Sequence, residues 1–329
     1  MLSVTEREGA LVRENDDIQS QSNILTIDIE DWQQSESDVL YGGGAGPFPM
    51  DAPSKRVIDQ TLCLLDLLAE YDVRTTCFVL GSVAESHPAL VRQIAAQGHE
   101  IAIHGYAHKL VYAMRPDAFH ADVARALAAV EDCIGMRVLG YRAPYFSITR
   151  RTPWALKILA ELGLTYDASI FPCTPALYRV PGWNGWGDVP RYPHTMMIDG
   201  QELIEFPATT WHALGLRLPL AGGTALRVAP VGLLQRAIIQ ANAGGHPAIL
   251  YLHPHDMDPD TPPRKLAGDS LRVQWLRWQL RIGRSRTASR LRGLMTRNRF
   301  VPIQEWLAQS HATVSADDMP LAHESVRVP

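Results

Sequence analysis

A chain of 329 residues, 46% hydrophobic and 20% charged, has globular composition and room for one large α/β domain or two ordinary ones. Its formal net charge of -4 gives no global reason to expect nucleic acid. No stretch supplies the roughly 18 continuous apolar residues of a membrane span, and residues 1–22 lack the apolar core of a secretory signal, so a cytoplasmic protein is expected.

Residues 1–22 read as a flexible arm. NILTIDI (23–29) reads as a strand, followed by an irregular loop carrying GGGAGPFP. The run 57–71 has apolar residues at helical spacing, and RTTCFVLG (74–81) is the next strand. Residues 87–98 read as a helix closed by Gly98, then HEIAIHG (99–105) as a strand. A long helix over 116–135 leads to the strand RVLGYRAP (137–144), and a further helix over 152–163 has Pro153 in its first turn. Residues 171–200, rich in Pro, Gly, Trp and Tyr, read as a long loop over a binding face. Strands return at 201–209 and 246–254, separated by a helix over 231–242. Basic helices at 271–280 and 288–298 precede RFVPI, a last helix, and a tail over 310–329.

Repeated β–α units favour parallel strands in a barrel or a doubly wound sheet. No G-x-G-x-x-G fingerprint follows the first strand, which weakens the second option. Polar residues gather where strands end: Asp28 and Glu30, His104 and His108, Arg142, His253. Such groups at the C-terminal ends of successive strands are the habit of a barrel active site. The four cysteines lack C-x-x-C spacing and read as small buried hydrophobes.

HGYAH places His104 and His108 four residues apart, but with twelve histidines chance supplies roughly 0.4 such pairs, so the spacing alone is weak. The neighbours strengthen it. TIDIEDW crowds Asp28, Glu30 and Asp31 at a strand end, where alternation puts Asp28 and Glu30 on one face. Two imidazoles and one carboxylate make the open three-ligand set of a catalytic divalent ion, and a second carboxylate can serve as general base. YRAPYFS supplies Arg142 to orient Asp28, and YLHPHD brings His253 out of an apolar strand as a candidate general acid.

TIDIEDW, HGYAH, YRAPYF, YDASIFP, ELIEFPAT and YLHPHD, in this order, resemble the polysaccharide deacetylases of carbohydrate esterase family 4, the nodulation-protein-B homology domain. EFPAT paired with AGGTALRVAP, YLHP and the basic C-terminal segment looks like the branch encoded in exopolysaccharide loci. The resemblance implies a single domain over 23–309, a distorted (β/α) barrel of about seven strands. It implies Asp28 as base, His253 as acid, Arg142 as orienter of the base, and the Tyr145 backbone N–H as oxyanion donor. It implies His104 and His108 as ligands of zinc, or of cobalt, nickel or manganese in its place. Many members have adjacent aspartates in the first motif; here Ile29 interrupts, leaving Glu30 or Asp31 as the carboxylate ligand, with alternation favouring Glu30. His255 is a second departure, where a tryptophan is expected.

The implied reaction removes an N-acetyl group from a sugar, as in an exopolysaccharide precursor. Trp183 and Trp186, with Tyr178 and Tyr192, suit stacking on sugar faces or packing over the barrel mouth. Trp211 and Trp275 read as core residues or site walls, and Arg227 as a substrate contact by family analogy alone. From Arg264 to Arg299 eleven Lys or Arg residues face one acid, Asp269. This is a solvated helical face, or a contact for an anionic lipid-linked substrate or the membrane surface. Two other readings compete: hydrolysis of a small natural-product glycoside or a cyclic amide, and a carbohydrate-binding protein without catalysis.

Overall fold

The computed structural model describes residues 21–34, 53–178, 183–186, 189–260, 278 and 281–314. In chain order the strands are β1 (Ser22–Ile29), β2 (Thr76–Val79), β3 (Glu100–Ile103), β4 (Gly140–Tyr141), β5 (Tyr166–Asp167) and β6 (His194–Ile198). They continue with β7 (Gln201–Glu205), β8 (Thr210–Ala213), β9 (Leu216–Pro219), β10 (Ile249–Leu252) and β11 (Arg299–Val301). Along the order β10–β1–β2–β3–β4–β5–β7 every neighbouring pair is parallel, which makes an arc of seven strands. β6 adds antiparallel to β7, and β11 pairs the first residues of β1. Past β7 the chain reaches the opposite edge: Thr209 N–H donates to Ile249 O at 3.1 Å, and Ile249 N–H to Thr209 Oγ1 at 2.6 Å. The two edges of the arc are thus drawn together, as a distorted (β/α) barrel requires.

Parallel neighbours need crossovers, and the helices supply them. They are α1 (Arg56–Ala69), α2 (Gly81–Ser86), α3 (Pro88–Ala96), α4 (Pro116–Ile134) and α5 (Trp154–Glu161). The second half adds α6 (Gly223–Val228), α7 (Val231–Asn242), α8 (Thr287–Met295) and α9 (Ile303–Val314). α4 shows why the boundaries fall where they do. Pro116 occupies the first turn, where a missing N–H costs nothing, and Gly135 ends the helix in the left-handed region at φ 68°. β1, β2 and β3 are buried along their whole lengths, and one hydrophobic cluster runs from Leu25 to Phe300. Both halves of the chain therefore share a core.

The segment 171–200 is not wholly a loop, because 194–198 forms β6. β4 and β5 shrink to two residues each, and α9 runs to Val314, past Gln309 where a tail was expected. Cys77 and Cys173 are buried as expected, Cys133 is half-buried, and Cys63 is exposed. The arm, the GGGAG loop and most of 261–280, Trp275 included, lie outside the described residues. Several described arginines of the basic run tie the C-terminal part to the barrel. Arg290 donates to the Leu226 and Ala229 carbonyls at 2.8 Å, Arg292 pairs with Glu70 at 3.2 Å, and Arg284 is buried. Among the described residues no helix is long and apolar enough to cross a membrane.

Candidate active site

The C-terminal ends of β1, β3 and β10 converge on one cavity of about 440 Å³. Glu30 stands at its floor. Its Oε2 lies 2.5 Å from His108 Nε2 and 3.7 Å from His104 Nε2, with all three residues buried. His104 Nδ1–H donates to the Arg142 carbonyl at 2.8 Å, which leaves Nε2, the nitrogen facing Glu30, as the one available to a metal. His108 is held with φ 55°, in the left-handed region that a non-glycine residue rarely adopts outside a functional turn. Burial alone would raise the Glu30 carboxyl. His108 and His253 outweigh it, with hydrogen bonds from His104 and His108, and hold its pKa well below the ordinary value. One ligand atom from each of Glu30, His104 and His108 falls within 4.8 Å of the others, so this donor set suits a divalent metal ion.

Asp28 lies beside this cluster. Arg142 Nη1 donates to Asp28 Oδ1 at 2.8 Å and to Thr26 Oγ1 at 2.6 Å, while Arg142 Nε donates to Ala168 O at 3.2 Å. The guanidinium is fully buried over the Phe78 ring, 4.2 Å from its centroid, so it cannot swing away. Asp28 is thereby fixed by one oxygen, and Oδ2 lies 3.9 Å from His253 Nε2. Tyr145 follows Arg142 on a tight turn with φ 52°, lines the cavity, and packs edge-on against His108 at 5.3 Å.

His253 faces the cluster from β10. Its Nδ1–H donates to Asp256 Oδ2 at 3.0 Å, which directs Nε2 towards Glu30 Oε1 at 3.7 Å. Burial would lower the imidazole pKa, but Glu30, Asp256 and Asp28 outweigh it and raise it. Asp256 is in turn paired with Arg227 Nε at 3.1 Å. Burial pushes the Asp256 carboxyl up, yet Arg227 and His253 bring it far below the carboxylate range. The two glycines of AGGT make this approach possible: a Cβ on Gly223 would collide with Asp256, and one on Gly222 with the Tyr251 ring. His255 stacks on His253, centroids 4.8 Å apart at 12°, and burial together with His253 depresses its pKa.

Of Asp31, Trp183, Trp186, Trp211 and Arg227, Arg227 alone lines the cavity. Asp31 does not join the metal cluster; its carboxylate accepts from Ser54 N–H, because it falls one residue beyond the alternation that aligns Asp28 with Glu30. Trp183 and Trp186 are absent from the cavity lining and follow the packing alternative. Their indole N–H groups donate at 2.9 Å to the carbonyls of Phe146 and Ile148, bracing the Tyr145 turn from behind. Trp211 packs half-buried against the core from β8, off the cavity. Arg227 does line the cavity, but its guanidinium is committed to Asp256 and to Thr224 Oγ1 at 2.8 Å. Of the two loop tyrosines, Tyr178 lines the cavity and Tyr192 stacks instead on His246.

Sequence reasoning missed Asp256, although it stands three residues after His253 in a quoted motif. It also missed a buried carboxyl pair under the turn. Asp167 accepts from Ser169 Oγ, whose oxygen accepts the Ala143 N–H at 2.8 Å, and Glu205 accepts the Ile170 N–H at 2.9 Å. Burial raises both carboxyls, Asp167 to about 6 and Glu205 well above its ordinary value.

The profile of the family described as polysaccharide deacetylase matches residues 56–166, and that of a domain of unknown function (DUF3473) matches 168–308. A chitin deacetylase 1 from Cryptococcus neoformans var. grubii is 26% identical over 185 residues, 56% of this chain and 29% of that protein. A chitooligosaccharide deacetylase from Sinorhizobium fredii is 36% identical over 101 residues, 30% of this chain and 43% of that protein. The chain therefore spans less than half the length of these two relatives. Among solved structures, the allantoinase Puue superposes with TM-score 0.53 at 18% identity, covering 88% of this chain and 90% of that one, a likeness of fold.

Proposed function

We propose that this chain, which matches the polysaccharide deacetylase family over residues 56–166, is a metal-dependent hydrolase that removes N-acetyl groups from an N-acetylated glycan, such as an exopolysaccharide precursor. One observation carries the reading. Two carboxylates share the floor of the cavity, Asp28 held by Arg142 and Glu30 facing His104 and His108, with His253 opposite both. Nothing in that set is redundant for amide hydrolysis, which needs a base, an acid and an electrophile.

Glu30, His104 and His108 would hold the ion, for which zinc suits two imidazoles and one carboxylate best. When bound, such an ion polarises the amide carbonyl and lowers the pKa of water towards about 7. Asp28, oriented by Arg142, takes the proton of the attacking water at Oδ2, the oxygen facing His253. The Tyr145 backbone N–H, on the turn that Trp183 and Trp186 brace, hydrogen-bonds the oxyanion; loss of one such donor costs about 3 kcal/mol. His253, carrying its proton because its pKa is raised, delivers it from Nε2 to the leaving amine, with Asp256 steadying the cationic ring.

The test is acetate release from N-acetylglucosamine oligomers and UDP-N-acetylglucosamine, after chelation and after zinc is restored. Wild type should lose activity on chelation and regain it with zinc, whereas Asp28→Asn and His104→Ala should stay inactive. Stoichiometric metal without acetate from any acetylated sugar, but with ring opening of a cyclic ureide, would replace this reading by a cyclic amidohydrolase.

A further inference from the structure

Glu30 has two oxygens, and they face two different pairs of histidines. Oε2 serves His104 and His108; Oε1 looks the other way, 3.7 Å from His253 Nε2. On that second side, ligand atoms of Glu30, His253 and His255 also lie within 4.8 Å of one another. We propose that Glu30, His253 and His255 form a second divalent-cation site, distinct from the first, whose filling switches off the hydrolysis. The inhibitory half of this inference rests on the deacetylase reading above; the binding half does not.

Three features support a site rather than a packing accident. His253 is aimed in the way His104 is: its Nδ1–H is anchored on an acceptor, here Asp256 at 3.0 Å, and its Nε2 turns towards Glu30. His255 is only 4% exposed, and its Nδ1 has no hydrogen-bond partner among the described residues, an unusual cost for an imidazole with no ligand to take. The two rings stand parallel with centroids 4.8 Å apart, so each fixes the other's orientation. Ligands on a tetrahedral zinc ion, about 2.1 Å from the metal, lie roughly 3.4 Å apart, within reach of small side-chain rotations from this arrangement. Two imidazoles and a carboxylate oxygen select a zinc-like ion over magnesium or calcium.

The consequence for chemistry is direct. A cation here takes the lone pair of His253 Nε2, the proton that nitrogen carried goes to solvent, and the imidazole has none to give to a leaving amine. Glu30 would hold the two ions through separate oxygens, since Oε2 faces His104 and His108 and Oε1 faces His253, so the second would bind without displacing the first.

The experiment titrates the chelator-stripped full chain with zinc, counting ions per chain by equilibrium dialysis and following acetate release in parallel. Wild type should bind two ions. Acetate release should rise with the first equivalent and fall about a hundredfold as the second fills, the scale of losing a general acid. His255→Ala should bind one ion and lose the inhibition at excess zinc. His255→Phe keeps an aromatic ring against His253 without a ligand atom, and should behave the same if the alanine variant folds poorly. One ion per chain in wild type at saturating zinc, or a second ion that persists in both His255 variants, overturns the proposal. Two ions lost to one in the variants, with no acetate release at any zinc level, supports the second site and overturns the deacetylase reading instead.

Discussion

The two halves of this barrel build their share of the site by different means. Up to Asp167 the chain alternates strands and helices, and the cavity groups sit at the end of β1 or one to five residues past a strand, with His104 and Arg142 anchored on backbone carbonyls. His104 is fixed by the Arg142 carbonyl, and the Tyr145 turn is pinned by indole donors from the later loop. Among the described residues after Asp167, β7 and β10 enter the parallel arc, β11 pairs the start of β1, and the rest is hairpin and helix. There the functional histidine is placed by a chain of side chains, Arg227 to Asp256 to His253. The first half is therefore tied to its strands and to one buried ion pair, Arg142 with Asp28, whereas the second depends on a relay of buried charges. The family profile for deacetylases stops at 166, yet His253 lies in the segment of unknown function. That segment lines the same cavity as the first half.

The contrast predicts graded losses. Asp28→Asn, which keeps the shape and removes the base, should cut acetate release by about 10²–10⁴-fold, and because it leaves the buried Arg142 charge unpaired it should also lower the unfolding midpoint. A loss under tenfold would mean that the first half does not supply the base. Next comes Asp256→Asn, with an expected drop of about tenfold or more and a moved pH profile. His253 must be protonated to act, and its pKa is raised above 6.5, so activity should persist through neutral pH and fall as pH rises beyond that value. Removing the Asp256 charge takes away part of that rise and should shift the alkaline limb to lower pH. An unmoved limb would show that Asp256 only packs.

Trp183→Phe tests the bracing between the halves. It leaves the Phe146 carbonyl without its indole donor in a buried place, at about 1–3 kcal/mol of stability. Because the Tyr145 turn loosens with it, kcat should fall while binding of a product glycan changes less. The smallest effect is expected at the buried carboxyl pair. Asp167 and Glu205 have raised pKa values in the fold, so their contribution is fully present below the ordinary carboxylate range. It is lost as pH rises through about 6 and above. Glu205→Gln should flatten that decline, so urea midpoints at pH 5 and pH 8 should lie closer together than in wild type. A variant with an unchanged slope would place the pH sensitivity elsewhere.

Local periodicity made much of this protein legible from its residues. The helix expected over 231–242 has those bounds, because apolar spacing and a flanking proline are short-range signals. The order of motifs from TIDIEDW to YLHPHD marked the groups that meet, since parallel strands in a barrel bring their C-terminal ends to one face. Alternation along β1 likewise separated Glu30 from Asp31 before any contact was known. What needed the tertiary structure were the second partners of these groups. β5 is a strand only because its neighbours pair with it, since two residues carry no periodicity to read, and pairing likewise trims the strand expected over 137–144 to the two residues of β4. Trp183 and Trp186 turn inward because two carbonyls on a left-handed turn offer their indoles acceptors. Arg227 meets Asp256, and Glu30 stands between two histidine pairs, because separate loops converge over one cavity. Spacing along a chain encodes which face a side chain takes; what it meets there is set by packing between segments far apart in sequence.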